Sequence, residues 1–172
     1  LETSGLEVGG SYSFSTAYGD FALGVDARSL DSYDVTLANG DLQMAAGYVL
    51  GSSRNNFVDF KMNTTLSWTM GDMFASATLQ PFGEGKGVAN NPPTMTSAGL
   101  VTETERDIEA ITYLDLQYGM VLPEYNATVR VGIDNVLDED PTFFPETFAN
   151  DFDPAYRTWG SMHYYANISV NL

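Results

Sequence analysis

The chain has no cysteine and a single histidine, His163, among its 172 residues. The usual pairs of a nucleophile with its base, and the His and Cys sets that hold zinc, therefore cannot be assembled from these residues. We expect no enzymatic activity and no cofactor. The lack of cysteine is also compatible with a cell-envelope compartment.

Basic residues are scarce. The chain has 7 Lys and Arg residues against 23 Asp and Glu residues, which gives a formal net charge of -16. Nucleic acid is excluded as an expected partner, because binding it requires a basic surface. The hydrophobic fraction of 44% is close to that of globular proteins, so we expect a folded chain, and its length suits one domain.

Long apolar runs are missing as well. No stretch approaches the ~20 consecutive apolar residues that a transmembrane helix needs. If the chain enters a membrane, it must therefore cross as β-strands. Residues 1–5 lack the basic start and apolar middle of a signal peptide, so we expect either a removed signal or a piece of a longer protein.

What the sequence has is alternation of apolar and polar residues with a period of two. The pattern is clearest at residues 163–172, where Tyr164, Ile168 and Val170 alternate with Tyr165, Asn167 and Ser169. This period is that of a β-strand with two different faces. The same alternation predicts strands over 6–16, 21–28, 57–68, 73–79, 111–120, 126–136 and 163–172.

Short and long connections alternate between these strands. The short ones are residues 17–20, 71–72 and 122–124, and the long ones are 31–56, 81–103 and 138–156. This asymmetry, with strands of ~10 residues, is typical of outer-membrane β-barrels. A soluble β-sandwich, with strands of ~5–6 residues, is the less favoured alternative. An apolar patch at residues 42–50 is compatible with either a strand or a packed loop.

The polar faces of the predicted strands carry most of the charged residues. In a barrel these side chains would line a water-filled lumen. We expect these charges to be paired, with a role in moving a substrate as the alternative. The predicted lumen-lining residues are Glu7, Asp26, Arg28, Asp59, Lys61, Asp115, Arg130 and Asp134.

Residues 131–141, Val-Gly-Ile-Asp-Asn-Val-Leu-Asp-Glu-Asp-Pro, resemble the penultimate-strand signature of TonB-dependent outer-membrane receptors. In that signature an Asn-x-Leu-Asp run and a proline follow an alternating strand. Residues 113–118, the Phe152-Asp153-Pro154 run and the alternating terminus are similar to the final strands of the same family. The family typically ends in an aromatic residue, whereas this chain ends in Leu172.

The resemblance implies an all-β, antiparallel transmembrane barrel of 22 strands around an amino-terminal plug. The paired charges of the lumen would then also brace this plug. Only about seven strands are visible and no plug, so residues 1–172 are expected to be one C-terminal segment of such a barrel. The family location is the outer membrane, and the family activity is import of a scarce nutrient, such as a metal-siderophore complex. Implied partners are the remaining strands and the plug, TonB through the missing N-terminal part, outer-membrane lipid and a small-molecule ligand.

The loop at residues 138–156 is rich in carboxylates. Clustered carboxylates can bind calcium, but the ligand spacing of an EF-hand is absent. We therefore leave two interpretations open: a solvated acidic loop, or a site for calcium or a cationic ligand. Its candidate residues are Asp138, Asp140, Asp151, Asp153 and Arg157.

A second hypothesis is a complete small barrel of the eight-stranded OmpA type, with a structural or adhesive role. The two hypotheses differ at the sheet edges, because a membrane barrel must close. A small barrel requires the strand at 6–16 to pair with the strand at 163–172, and residues 42–50 to cross the membrane. A receptor wall predicts two open edges.

Overall fold

The computed structural model describes residues 1–51, 57–145 and 161–170. Within these ranges the chain forms strands and one turn of 3-10 helix, Pro123–Tyr125. No helix in the described ranges is long and apolar enough to span a membrane. The strands are β1 (Glu2–Thr16), β2 (Gly19–Thr36), β3 (Leu42–Met44), β4 (Tyr48–Leu50), β5 (Phe60–Met70), β6 (Met73–Phe82), β7 (Gly85–Val88), β8 (Thr94–Thr96), β9 (Gly99–Val101), β10 (Arg106–Ile108), β11 (Ile111–Leu122), β12 (Ala127–Asp134) and β13 (His163–Val170).

Seven long strands build one antiparallel wall, in the order β1, β2, β5, β6, β11, β12, β13. Each strand pairs with the previous long strand of the chain, as expected for consecutive hairpins. The wall curls into a half-barrel. The prediction of an all-β antiparallel wall of about seven long strands is therefore confirmed.

The wall is open at both edges within the described residues. Strand β1 pairs with β2 alone, and β13 pairs with β12 alone. The predicted open edges are thus confirmed for this part of the chain, which lacks the closed ring of a small barrel. Residues 42–50 do not form an eighth long strand. They form β3, which pairs with β2 and β8, and β4, which pairs in parallel with β7.

The two faces of the wall are continuous across all seven strands. One row of successive cross-strand partners is Phe14, Phe21, Trp68, Ala75, Tyr118, Val131 and Ala166. The adjacent row is Ser13, Ala22, Ser67, Ser76, Gln117, Gly132 and Tyr165. Because neighbouring rows point to opposite sides of a sheet, the first lies on an apolar face and the second on a polar face. The predicted strand faces are confirmed.

Short turns join the strands at one end of the wall. The turn between β5 and β6 consists of Gly71 and Asp72, and Gly71 has a φ of 59°. A two-residue hairpin turn of this kind favours glycine, because L side chains strain that backbone conformation. The strand ends that the three long connections join lie at the opposite end, as the antiparallel order requires.

The described parts of the long connections fold into a compact unit, which we call the loop cap (residues 37–51, 57–59, 83–110 and 135–145). Strands β4, β7 and β10 form one small sheet in it, while β8 and β9 extend the main sheet through β3. The residues of its hydrophobic cluster are Val49, Val58, Phe82, Ile108, Ile111, Tyr113 and Phe144.

Three members of that cluster belong to the wall. Phe82 ends β6, and Ile111 and Tyr113 begin β11. Ile111 is paired with Phe82, and both share the face of Tyr113 and Asp115, which is the polar one. The polar face therefore becomes apolar at its long-connection end, and the loop cap packs against that side of the wall.

Candidate functional site

The first group of charged residues lies on the polar face of β1, β2 and β5. Glu7 pairs with Arg28, and Arg28 pairs with Lys61 on the next strand. Asp26 lies opposite Gly9, where an added Cβ would come within 2.8 Å of the Asp26 Oδ1 atom. The four charged side chains are exposed, form no ion pair with one another, and line a recess of about 380 Å3.

The second group lies on the same face of β11, β12 and β13. The Arg130 guanidinium lies over the Phe74 ring, 5.6 Å from its centroid. Asp134 Oδ2 is 3.7 Å from His163 Nδ1. The Asp115 carboxylate accepts a hydrogen bond of 2.9 Å from the Asn135 backbone N–H. The structure thus brings these predicted lumen-lining residues to one face, in a group separate from the first.

Aromatic rings cover glycines on the polar face, an arrangement that the alternation did not reveal. A Cβ on Gly132 would lie 2.3 Å from Tyr165 Cζ, and one on Gly119 would lie 2.3 Å from Phe74 Cζ. The Tyr165 hydroxyl also donates a hydrogen bond of 3.3 Å to Gln117 Oε1. Glycine is required here because a ring of the neighbouring strand occupies the space of its side chain.

The Asn-x-Leu-Asp run forms a clamp at the end of β12. Asn135 is 1% exposed, and its Nδ2 donates to the Glu139 carbonyl at 2.8 Å while its Oδ1 accepts from the Glu139 N–H at 3.1 Å. The Asp138 carboxylate accepts from the Met162 N–H at 2.8 Å. The run therefore joins the end of β12 to the residue before β13.

These contacts bear on the predicted ion or ligand site of the acidic loop. Asp138 already binds a backbone N–H group, and Asp140 is exposed. Asp151, Asp153 and Arg157 lie outside the described residues. Among the residues that the structure describes, no three His, Cys, Asp or Glu side chains are grouped as metal ligands would be. The ion or ligand site of this loop stays a prediction.

A second recess, of about 470 Å3, lies within the loop cap. Its charged lining residues are Asp59, Glu84, Lys86, Asp107 and Glu109, so four carboxylates face one ammonium group. Lys86 forms an ion pair with Asp107, and that hydrogen bond raises the pKa of the Lys86 ammonium. The predicted lumen residue Asp59 lines this recess and not the one near Arg28. The excess of carboxylates favours cationic groups.

Two glutamates hold the loop cap together. The Tyr48 hydroxyl donates to Glu105 Oε1 at 2.9 Å, and burial, followed by this hydrogen bond and the Glu105 charge, raises the pKa of Tyr48 to about 12. The Glu103 carboxylate accepts N–H groups of Asn90 at 3.0 Å and Asn91 at 3.1 Å. These bonds, that of Asn90 above all, lower the pKa of Glu103.

Comparison with known proteins yields no relative: no family model, no curated protein and no solved structure matches the chain.

Proposed function

We propose that the chain is part of the barrel wall of a TonB-dependent receptor in the outer membrane. Such a receptor captures a scarce nutrient, for example a metal-siderophore complex or another small ligand, and imports it with energy supplied through TonB. The observation that carries the proposal is the two-faced wall of seven antiparallel strands with all its long connections at one end. That is the architecture by which chains cross a membrane as strands.

The apolar face supports a position in lipid. Large apolar side chains on it are exposed, among them Tyr12 at 67% and Ile168 at 68%. On β5 this face runs from Phe60 to Met70, which is ~34 Å of strand and ~26 Å of height at a tilt of ~40°. The apolar band of an outer-membrane barrel is about as tall, ~25 Å. The row with Phe14, Phe21, Trp68 and Tyr118 lies near the short turns, where such barrels carry an aromatic girdle.

The open edges favour a receptor over a complete small barrel. Backbone N–H and C=O groups inside a bilayer must be paired, so the outer edges of β1 and β13 require further strands. A barrel of 22 strands would supply them, and the Asn135 to Pro141 signature resembles that of the family with such barrels. The missing strands, a plug and TonB are the partners that this proposal implies.

The loop cap supports the capture of a small ligand. It packs on the polar side of the wall, so it would cover the lumen at the extracellular end. The recess within it has an excess of carboxylates, whereas the Glu7, Asp26, Arg28 and Lys61 recess carries both signs of charge. A solute that passes from the cap into the lumen would meet both surfaces.

Sidedness can be tested with two cysteine variants. Ser97, between β8 and β9, is exposed in the loop cap, and Asp72 is exposed in a short turn. On intact cells, an impermeant maleimide should label Ser97→Cys and should label Asp72→Cys only after the cells are opened. Labelling of Asp72→Cys alone on intact cells would show that the proposed orientation is inverted.

Transport is tested with the full-length gene product. Cells that produce it should accumulate a ferric siderophore from a test panel only when TonB is present and the inner membrane is energised. Uptake that persists without TonB would contradict the receptor proposal and favour a passive barrel.

A further inference from the structure

Methionines are unevenly distributed over the wall. Met70 ends β5, and its cross-strand partner Met73 begins β6. Met73 is also the partner of Met120 on β11. Three of the seven methionines of the chain therefore stand side by side on three neighbouring strands, and we call them the methionine row.

The other strand methionines have partners of a different kind. Their pairs are Met44 with Asp34, Met62 with Ala27, and Met95 with Leu42 and Leu100. Among the strands that the structure describes, thioether groups are thus adjacent in one place alone.

The three side chains of the row lie on the same side of the sheet. Each is two residues from a member of the Trp68, Ala75 and Tyr118 row, so all three belong to the apolar face. Directly paired residues have their Cβ atoms ~5 Å apart. A methionine side chain has three rotatable bonds, so the sulfurs of the two outer residues can turn toward that of Met73. The register therefore allows three sulfurs to meet at one point.

The methionine row lies beside the short turns, where the strands are held together and the side chains are accessible. The Gly71-Asp72 turn joins its first two members, and the Val121 N–H donates a hydrogen bond of 2.8 Å to the Asp72 carbonyl. This bond fixes the turn against the end of β11. Met70 is 43% exposed and Met120 is 39% exposed, so an ion can reach their sulfurs.

The chemistry of the row selects its ligand. A thioether is a soft, uncharged donor that suits Cu(I), whereas Mg²⁺ and Ca²⁺ take oxygen ligands. The short turns at this end, residues 17–18, 71–72 and 123–126, contain the carboxylates Asp72 and Glu124 and no Lys or Arg. Their negative charge favours the approach of a cation.

We propose that Met70, Met73 and Met120 form a binding site for one Cu(I) ion, held by their three thioether sulfurs. The site is independent of the receptor proposal, because strand pairing alone brings the three residues together. In the orientation given under that proposal, it would lie at the periplasmic end of the wall. The ion enters and leaves as Cu(I), so no electron transfer is involved.

The first experiment is an NMR titration of the full-length gene product in detergent micelles and chloride-free buffer. Its methionines carry isotope-labelled ε-methyl groups, and each signal of the row is assigned by its loss in Met70→Leu, Met73→Leu or Met120→Leu. The probe is Ag⁺, which is a soft monovalent ion like Cu(I) and does not change its oxidation state here. One equivalent should shift all three signals together and leave the Met95 signal in place.

The second experiment measures Cu(I) affinity by competition with the coloured chelator bicinchoninate, with ascorbate present. Met73→Leu removes the central sulfur at nearly constant volume. It should weaken binding by about tenfold or more, since even outer-shell changes cost ~10–100-fold in metal affinity. Met95→Leu is the matched control, because Met95 is 46% exposed and lies outside the row, and it should keep the wild-type affinity. If Met73→Leu does not fold, Met120→Leu takes its place.

Row signals that shift no more than the Met95 signal would overturn the site, as would wild-type affinity in Met73→Leu. Equal shifts with Zn²⁺ would overturn the assignment to a soft monovalent ion. These outcomes leave TonB-dependent uptake unaffected, so failure of the metal site is distinguishable from failure of the proposed function.

Discussion

Replacement of Asn135 by alanine tests the clamp that joins β12 to β13. The change removes two hydrogen bonds between the Asn135 side chain and the Glu139 backbone. Each is worth ~1 kcal/mol net. Asn135 also has a φ of 54°, a left-handed conformation that asparagine tolerates and that costs other L-residues ~1–2 kcal/mol. We therefore expect Asn135→Ala to lower the free energy of unfolding by ~2–4 kcal/mol.

Asn135→Gly separates the two contributions. Glycine adopts a positive φ without strain, so this variant should lose the hydrogen bonds alone, ~1–2 kcal/mol. Stability should thus fall in the order wild type, Asn135→Gly, Asn135→Ala.

The assay is urea unfolding of the protein folded into lipid vesicles, followed by circular dichroism, with linear extrapolation of the free energy of unfolding. Hydrogen exchange at β13 gives a local readout, because the Asp138 to Met162 bond holds the residue before this strand. The reasoning would be refuted if Asn135→Ala stayed within ~0.5 kcal/mol of the wild type, the usual range for surface substitutions. Equal losses in Asn135→Ala and Asn135→Gly would refute the backbone contribution.

Three further predictions follow from other parts of the wall and the cap. Gly132→Ala should lower the free energy of unfolding by ~1–3 kcal/mol, because Tyr165 occupies the space of the new methyl group. Gly24→Ala should leave this free energy unchanged, because no atom lies within 4 Å of the added Cβ. Equal effects of the two changes in urea unfolding would contradict this prediction. Leu66→Arg, near the middle of the apolar face, should destabilise the protein folded into bilayers by ~2–4 kcal/mol. Thr65→Arg, on the polar face, should destabilise it little. The reverse order would mean that the two faces are exchanged. Because the pKa of Tyr48 is raised to about 12, the folded cap holds the phenolic proton more tightly than the unfolded chain does. Its contribution to stability is full below pH ~10 and is lost as the pH rises through the folded-state pKa. Glu105→Gln should lower the pKa of Tyr48. This pKa is measured from the ultraviolet difference spectrum between proteins with and without Tyr48→Phe. An unchanged pKa in Glu105→Gln would rule out the Glu105 contact.

The wall could be predicted because a period of two assigns each side chain to a face whatever the strand pairs with. The polar segments that extend these strands could not be predicted. Strand β2 continues to Thr36, past the predicted end at Arg28, through residues in which the alternation is interrupted at Asp31. Pairing with β1 holds this segment, and the Ser4 and Ser32 hydroxyls share a hydrogen bond of 2.7 Å across it. Such support comes from a neighbouring strand and leaves no periodic pattern in the sequence.

The loop cap was missed for a different reason. Its strands have three or four residues, which is too short to show a period. Its hydrophobic cluster joins residues as distant as Val49 and Phe144. The apolar patch at 42–50 could therefore not be assigned from the sequence. The structure divides it between two sheets, one attached to β2 and one packed within the cap.

The candidate site was predicted in part. The charged residues of the strands lie on the polar face as expected, because strand periodicity places them there. Contacts within loops do not follow from periodicity. Asp138, predicted as an ion or ligand residue, binds the Met162 N–H, and Asp59 lines the cap recess. These assignments depend on where a connection returns to the wall, which spacing along the chain does not determine.

The departures from alternation carry the information about function that the regular pattern does not. Phe82, Ile111 and Tyr113 are apolar or aromatic residues at polar-face positions, and each is buried in the cluster that anchors the loop cap. The anchor lies on β6 and β11, the central strands of the wall, and the Lys61 ammonium touches its edge, 4.8 Å from the Phe82 centroid. The Glu7 to Lys61 recess and the Arg130 group therefore lie on opposite sides of the anchor. A cap fixed at the centre leaves charged surface open on both flanks of the polar face, and under the proposed function a charged ligand would meet both surfaces on its way into the lumen.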